Sequence, residues 1–338
     1  MTIRSNNEFG KLKAVVIGRA SGANWPKDDP AFKTYWQYPV HTKGIKFPYT
    51  VPEELTNEID EMLWNIIDVF NEMDIDVIRP TKVDWKRSTA TYDYVTDGMS
   101  TLSIRDNLIT IGNKVIECPS VFRSRHHEGD IAYHPIKNYV LENGGAYITA
   151  PRCDIPKTIM KVNNENKLQI DNDTPIFNGS DILKFGNRIL YFISCRSNMK
   201  GAQWLQSVLG EEYTVQPTNR FFHYETLNNN IIPLDESTLL CNGDRLSAEA
   251  MPKEFKEYRK IWVNELRSSP SYKHEYGSKY MNMQILSIDA VTKIVNSDQP
   301  ELVKLLEAHG FNVIQKNLTH TQTFGFGYHS MVTDLIRD

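Results

Sequence analysis

The stretch ILKFGNRILYFISCRSNMKGAQWLQSVLG, residues 182–210, carries the plan on which the whole chain is built. Two β-rich runs, 182–185 and 189–193, flank Gly186-Asn187, which reads as a two-residue hairpin turn. A helical run follows at 200–209 and stops at Gly210, since glycine readily takes the left-handed conformation that ends a helix. Strands joined by a two-residue turn must be antiparallel, because parallel neighbours need a long crossover. That argues against a doubly wound parallel sheet. No GxGxxG or GxxxxGK[ST] loop is present to cradle a nucleotide.

The alternation recurs on both sides of this stretch. Residues 12–18 read as a strand, 52–73 as a helix with apolar spacing at Leu55, Ile59, Met62, Leu63, Ile66 and Phe70, and 76–79 as a strand. Strands at 108–112 and 114–117 meet at a Gly-Asn turn, and a helix at 131–142 ends at Gly144-Gly145. Strands at 226–233 and 238–241 precede an amphipathic stretch at 247–266. Strands at 283–288 and 292–295, a helix at 300–308 stopped by Gly310, and a strand at 312–315 close the pattern. The polar run 163–173 reads as a surface loop. About five helices, each bracketed by short strands, predict radial repetition of one unit within a single domain, residues 1–338.

Composition narrows the function. A net charge of -4, from 38 basic and 42 acidic residues, leaves no basic footprint for nucleic acid or anionic membrane. A small molecule is the expected partner. No apolar run reaches membrane-spanning length, and the first residues resemble neither a signal peptide nor a transit segment. Cys118, Cys153, Cys195 and Cys241 are too few for a disulfide framework and wrongly spaced for zinc, which points to a reducing cytoplasm and no metal.

Four segments hold polar chemistry at strand starts: Arg105-Asp106, Asn178-Gly179-Ser180-Asp181, His223-Tyr224-Glu225 and Gly327-Tyr328-His329-Ser330. A histidine among aromatics is more often structural than catalytic. On a strand, however, His223 and Glu225 would share one face, where a carboxylate can orient an imidazole. The glycine-rich loop before Ser330 reads equally as a ligand-approach loop or a plain turn.

Taken in order, further pieces of the chain resemble the amidinotransferase family. They are Asn7-Glu8-Phe9-Gly10-Lys11-Leu12 with Val15-Val16-Ile17-Gly18, Ile78-Arg79-Pro80, and Ser103-Ile104-Arg105-Asp106 with Ile111-Gly112-Asn113. Arg123-Ser124-Arg125, Gly201-Ala202-Gln203-Trp204-Leu205-Gln206, and Thr319-His320-Thr321 through Tyr328-His329 continue the match. The resemblance implies a pentein-like five-bladed α/β propeller of ββαβ modules, closed into a ring. It implies ping-pong transfer of an amidino group from L-arginine to an amine acceptor through a covalent amidino-enzyme, with no cofactor, and it admits a homodimer.

By the same resemblance, His223 is the proton shuttle, Asp106 binds the guanidinium, Arg245 binds the substrate carboxylate, and Ser278 contacts substrate. Three positions depart from the family pattern: Asn178 replaces a carboxylate while Asp181 remains, Glu225 replaces an aspartate, and Ser330 replaces the nucleophilic cysteine. A hydroxyl is far less acidic than a thiol and needs a dedicated base. Three functions therefore stand side by side: amidino transfer, guanidino-ligand binding by an inactive relative, and guanidine hydrolysis. Of the cysteines, Cys241 is the candidate stand-in nucleophile.

Overall fold

The computed structural model describes residues 1–37, 50–152, 156–249, 251–270, 272 and 276–338. Cys153 lies outside the described residues. Five helices of eight or more residues occur among those described: α1 (Pro30–Gln37), α2 (Glu53–Glu72), α3 (His134–Glu142), α4 (Met199–Leu209) and α5 (Pro300–Ala308).

The opening stretch folds as its pattern predicts. Ile182–Phe185 pairs antiparallel with Arg188–Phe192 across a turn whose first residue, Gly186, sits at φ 69°, a left-handed value that glycine adopts without strain. The Asn198 side chain caps α4 by accepting from Gly201 N at 2.8 Å, and Gly210 at φ 72° ends it. The chain then returns as Thr214–Thr218, parallel to Arg188–Phe192. The result is a three-stranded mixed sheet with one helical crossover.

Four more sheets have this strand order. Leu108–Ile111 and Lys114–Glu117 form a hairpin, and Ala146–Thr149 joins it in parallel after α3. Ile231–Pro233, Thr238–Asn242 and Arg259–Val263 repeat the plan, as do Leu286–Ser287, Thr292–Asn296 and Asn312–Lys316 around α5. The last sheet is shared by the two ends of the chain. Leu12–Ile17 pairs antiparallel with Val332–Arg337 and, after α2, parallel with Asp76–Ile78. Helix α2 buries Ile59, Leu63, Ile66 and Phe70, spaced four, three and four residues apart, as an amphipathic helix must. Among the described residues, no sheet closes on itself.

Four expectations from the sequence are corrected. Within the run 163–173, Leu168–Ile170 is a strand that pairs with Met160–Val162, and 163–167 is the turn between them; Asn163 Oδ1 accepts from Glu165 N and Lys167 N and so builds it. The stretch 247–266 is no long helix. Pro252 precedes a one-turn helix, Lys253–Phe255, and Arg259–Val263 is taken up by parallel pairing. The 131–142 helix is two helices, Glu128–Ala132 and α3, because Pro135 lacks the N–H that continuation requires. Finally, 226–233 opens with a helical turn, Leu227–Asn229, before its strand.

One feature that the pattern did not reveal positions the site. A short helical turn stands within two residues before the strand that opens the hairpin of each three-stranded sheet, Val332–Arg337 serving for the sheet shared by the chain ends: Ile104–Asn107, Gly179–Asp181, Leu227–Asn229, Lys279–Met283 and Tyr328–Met331. The turn at 328–331 touches the one at 104–107, which touches 179–181, then 227–229, then 279–283. His329 N donates to Gln284 O, linking the last of these back to the first. Gly179 permits one of these approaches, because a Cβ there would collide with the Arg105 carbonyl.

Buried charges fill the space between the turns and strands. Arg105 reaches Glu8 at 2.7 Å and Asp334 at 3.2 Å, while Lys184 reaches Asp334 and Ser5 Oγ at 2.6 Å each. Burial pushes the Glu8 carboxyl up, but Arg105 and Lys184 outweigh it and hold it well below the usual range. His329 donates from Nε2 to Glu8 and accepts at Nδ1 from Asn228, so it is neutral.

His126 and His329 are both driven down to about 4, chiefly by burial. Each is neutral in the folded protein, so the unfolded chain, with histidines near 6.5, takes up the proton first. Their stabilisation is complete above about pH 6.5 and is lost as the pH falls toward 4, at roughly 3 kcal/mol apiece. Replacing His126 by glutamine, which does not titrate, should flatten the stability profile by about 3 kcal/mol between pH 7 and pH 4. Urea unfolding of both proteins across that range checks it; parallel profiles would refute a neutral buried His126.

Candidate functional site

Asp106 sits in the first of the convergent turns. Its Oδ1 accepts from Ser180 Oγ at 2.6 Å and its Oδ2 from Arg125 Nη1 at 3.0 Å. It lines a cavity together with Arg125, Arg196, Trp25, Tyr276 and Phe324. The free volume is about 30 Å³, space for about one water. Trp25 packs against Tyr276 and Phe324 with centroids 5.2 and 5.3 Å apart, and the three rings form one wall of the cavity.

None of the other expected site residues is among those lining this cavity. Asn178 Oδ1 accepts from Ser180 N at 2.7 Å and so caps its own turn. Asp181 has no exposed surface; its oxygens take hydrogen bonds from Ser194, Ser197 and Leu227 N. Burial pushes Asp181 up to about 6, against the pull of Arg196. It clamps two modules together.

The expected strand face for His223 and Glu225 does not exist. Residues 221–225 form a turn closed by Glu225 N donating to Phe222 O, and the strand begins only at Ile231. The two side chains therefore diverge, and no hydrogen bond joins them among the described residues. His223 Nε2 bonds Leu168 O at 2.6 Å. A carbonyl can only accept, so the proton is on Nε2 and Nδ1 carries the lone pair. Burial lowers the imidazole's proton affinity, keeping His223 neutral near pH 7.

Glu225 instead faces Arg245 at 3.3 Å. The Arg245 guanidinium lies 3.7 Å from the Phe222 ring centroid and 4.7 Å from that of Tyr280, two cation–π contacts. Burial pushes the Glu225 carboxyl up, while Arg245 and a hydrogen bond with Ser278 draw it down. Ser278 also caps the turn at Lys279–Met283, accepting from Tyr280 N. Glu225, Arg245 and Ser278 thus form one cluster.

Ser330 is nearly inaccessible. Its Oγ accepts from Gly327 N at 3.0 Å and donates to Gly327 O at 3.1 Å, while its N donates to Gln284 Oε1. Among the described residues, no hydrogen bond connects it to His223. Among the described residues, the cysteines offer no replacement. Cys118, Cys195 and Cys241 are buried, and burial drives their thiols up, Cys195 and Cys241 to about 12 and Cys118 well above its ordinary value. Cys241 is therefore set aside as a stand-in nucleophile. The sequence reading did not single out Arg196, although an arginine directly after the apolar strand 188–192 and the half-turn that follows was a visible signal.

Among the described residues, no group of three or more His, Cys, Asp or Glu could hold a metal, and no helix is long and apolar enough to cross a membrane. No protein-family model matches the sequence. The chain is 28% identical over 334 residues to inosamine-phosphate amidinotransferase 1 of Streptomyces griseus, covering 98% of this chain and 96% of that one. It is 26% identical over 360 residues to the mitochondrial glycine amidinotransferase of Xenopus tropicalis, covering 98% and 82%. The solved structure of the Streptomyces griseus inosamine-phosphate amidinotransferase superposes with a TM-score of 0.91 at 28% identity, over 99% and 97% of the two chains. A dimethylarginine dimethylaminohydrolase shares the α/β pentein fold at 14% identity, with a TM-score of 0.62 over 96% and 99%. With sequence matches that run nearly end to end and a fold that superposes so closely, this chain belongs to the amidinotransferase family.

Proposed function

We propose that the chain is an amidino-group transferase with L-arginine as donor and an amine as acceptor, built as one domain whose five modules close into a propeller. The cyclic contacts of the five short turns and the sheet shared by both chain ends support the closed ring. In this reading Asp106 receives the guanidinium, and Arg245, in contact with the Phe222 and Tyr280 rings, receives the donor carboxylate beside Glu225 and Ser278. Asn178 adds a neutral acceptor. Asp181 acts indirectly, by holding the turn that carries Ser180.

Ser330 oxygen adds to the guanidinium carbon, and the bond from that carbon to the donor's Nε breaks. Ornithine leaves with the proton taken from the hydroxyl and relayed through Nδ1 of His223. The amidino group stays on Ser330 as an O-linked isourea. The acceptor amine then adds to the same carbon, the carbon–oxygen bond breaks, and the hydroxyl regains its proton. The observation that carries the reading is the place of Asp106, on a cavity that Arg125 and Arg196 also line and in the turn that touches the Ser330 turn.

A second reading, guanidino-ligand binding without turnover, draws on the Ser330 hydroxyl, whose two hydrogen bonds are both spent within its own turn. Incubation with L-arginine and a mixture of amines separates the outcomes. Ornithine without urea supports transfer, citrulline or urea supports hydrolysis, and bound arginine with no product supports the binding reading.

A further inference from the structure

Four residues other than glycine hold a left-handed backbone among those described: Asp74, Met99, Asn166 and His320. Aspartate, asparagine and histidine are the types enriched in that region. Methionine is not, so Met99, at φ 80°, is strained. The surrounding chain holds it there. Met99 N donates to Asn24 O at 2.5 Å, and Met99 O accepts from Asn24 N at 3.2 Å. Gly98 N donates to Trp85 O at 2.9 Å, and a Cβ on Gly98 would collide with the Pro26 backbone. Strain of this kind persists where neighbours over-determine the backbone, and it gathers at ligand clamps. Here it sits on a cavity, since Met99 lines the one that Asp106 lines.

About 30 Å³ is free in that cavity, and a guanidinium is larger than the water this would hold, so a lining group must move when one enters. The lining groups differ in how readily they can. Trp25 is in ring contact with Tyr276 and Phe324 at 5.2 and 5.3 Å, and Asp106 is joined to Arg125 by an ion pair at 3.0 Å. Met99 is partly exposed, packs against the aromatic cluster and carries an unbranched thioether, an adaptable shape for filling irregular space. Its backbone is pinned while its tip can change rotamer. We propose that Met99 is the size filter of this cavity, swinging aside for a guanidine with unsubstituted terminal nitrogens and obstructing one that carries an N-alkyl group there. This rests on the reading that Asp106 receives the donor guanidinium, and it adds a specificity-determining residue to that reading. A methyl group leaves the charge of a guanidinium intact, so attraction to Asp106 does not reject it. The discrimination falls to the bulk of the wall, and within the wall to the side chain that yields.

Calorimetric titration of the full chain compares L-arginine with Nω-methyl-L-arginine, and guanidinium with methylguanidinium at concentrations too low to unfold it; either pair suffices. In the unaltered chain the methylated member should bind at least about ten-fold more weakly, the weight of one surplus carbon in a closed pocket. Met99→Gly and Met99→Ala, which remove the side chain, should bring the two members within about three-fold of each other. Met99→Leu, of similar volume, should keep the preference. Urea should unfold Met99→Ala before Met99→Gly, the reverse of the usual order, because only glycine is unstrained at φ 80°. Equal affinities in the unaltered chain, a preference that survives both truncations, or its loss in Met99→Leu would overturn the filter. So would unfolding of Met99→Gly before Met99→Ala, since the strain that aims the side chain would then be absent. If one truncation fails to fold, the other decides. A Met99-dependent preference between the two guanidinium ions, without L-arginine binding, supports the filter and sinks the arginine-donor reading. L-Arginine binding with a preference indifferent to Met99 overturns the filter and leaves that reading standing. Binding of none of the four ligands overturns both.

Discussion

Ser330→Cys should release ornithine from L-arginine at least about 100-fold faster than the unaltered chain, the scale on which an activated nucleophile improves a reaction. A thiol with a pKa near 8.5 is a few per cent thiolate at neutral pH, whereas a hydroxyl there is essentially never ionised. The turn also matters. Ser330 Oγ is held by Gly327 through both its donor and its acceptor bond, and sulfur is weak in both roles. The substitution therefore loosens the group as it makes it more reactive. Asn178→Asp should increase the rate further, because a carboxylate pairs with guanidinium about twice as strongly as a neutral amide does. It should do so without unravelling the turn, since aspartate caps Ser180 N as well as asparagine. Ornithine is measured by mass spectrometry after timed incubation. A double variant that binds L-arginine and releases no ornithine would displace the transfer reading in favour of ligand binding.

Arg105→Leu should cost about 3–5 kcal/mol of folding stability, the expected loss when one member of a buried ion network is removed. Arg105 is 2% exposed and bridges Glu8, near the chain start, to Asp334, near its end. Without it, the two carboxylates keep Lys184 and Arg337 as counter-charges, but Glu8 loses its 2.7 Å partner in a site closed to water. The loss should be smaller in the double variant with Glu8→Gln, because the amide is cheaper to bury unpaired than the carboxylate. Urea unfolding at pH 7 reads both. A single-variant loss below about 1 kcal/mol would mean that water reaches these charges, as it does in surface pairs of that strength.

The repeating unit was legible in residues 182–210 because hairpin and helix are local. Gly186-Asn187 sets an antiparallel turn, Asn198 caps a helix, and Gly210 ends it, all through bonds spanning a few residues. Asp106 was singled out by resemblance to the family, and the turn that carries it brings it to the cavity. Elements decided by partners distant in the chain were not legible. Residues 259–263 become a strand because Thr238–Asn242 offers a parallel edge, and 163–173 yields a hairpin whose three-residue arms are too short to show a period.

The pairing of His223 with Glu225 failed for the same reason. Period-two reasoning holds only on a strand, and the turn at 221–225 sends one side chain to Leu168 and the other to Arg245. Sequence by itself determined the repeated strand–helix module, the family and the chemical types available to the site. Only the tertiary structure decided which of those groups meet and which are spent on one another. Hydrogen bonds and ion pairs depend on distances of a few ångströms, and those are set by how five separately formed turns pack together.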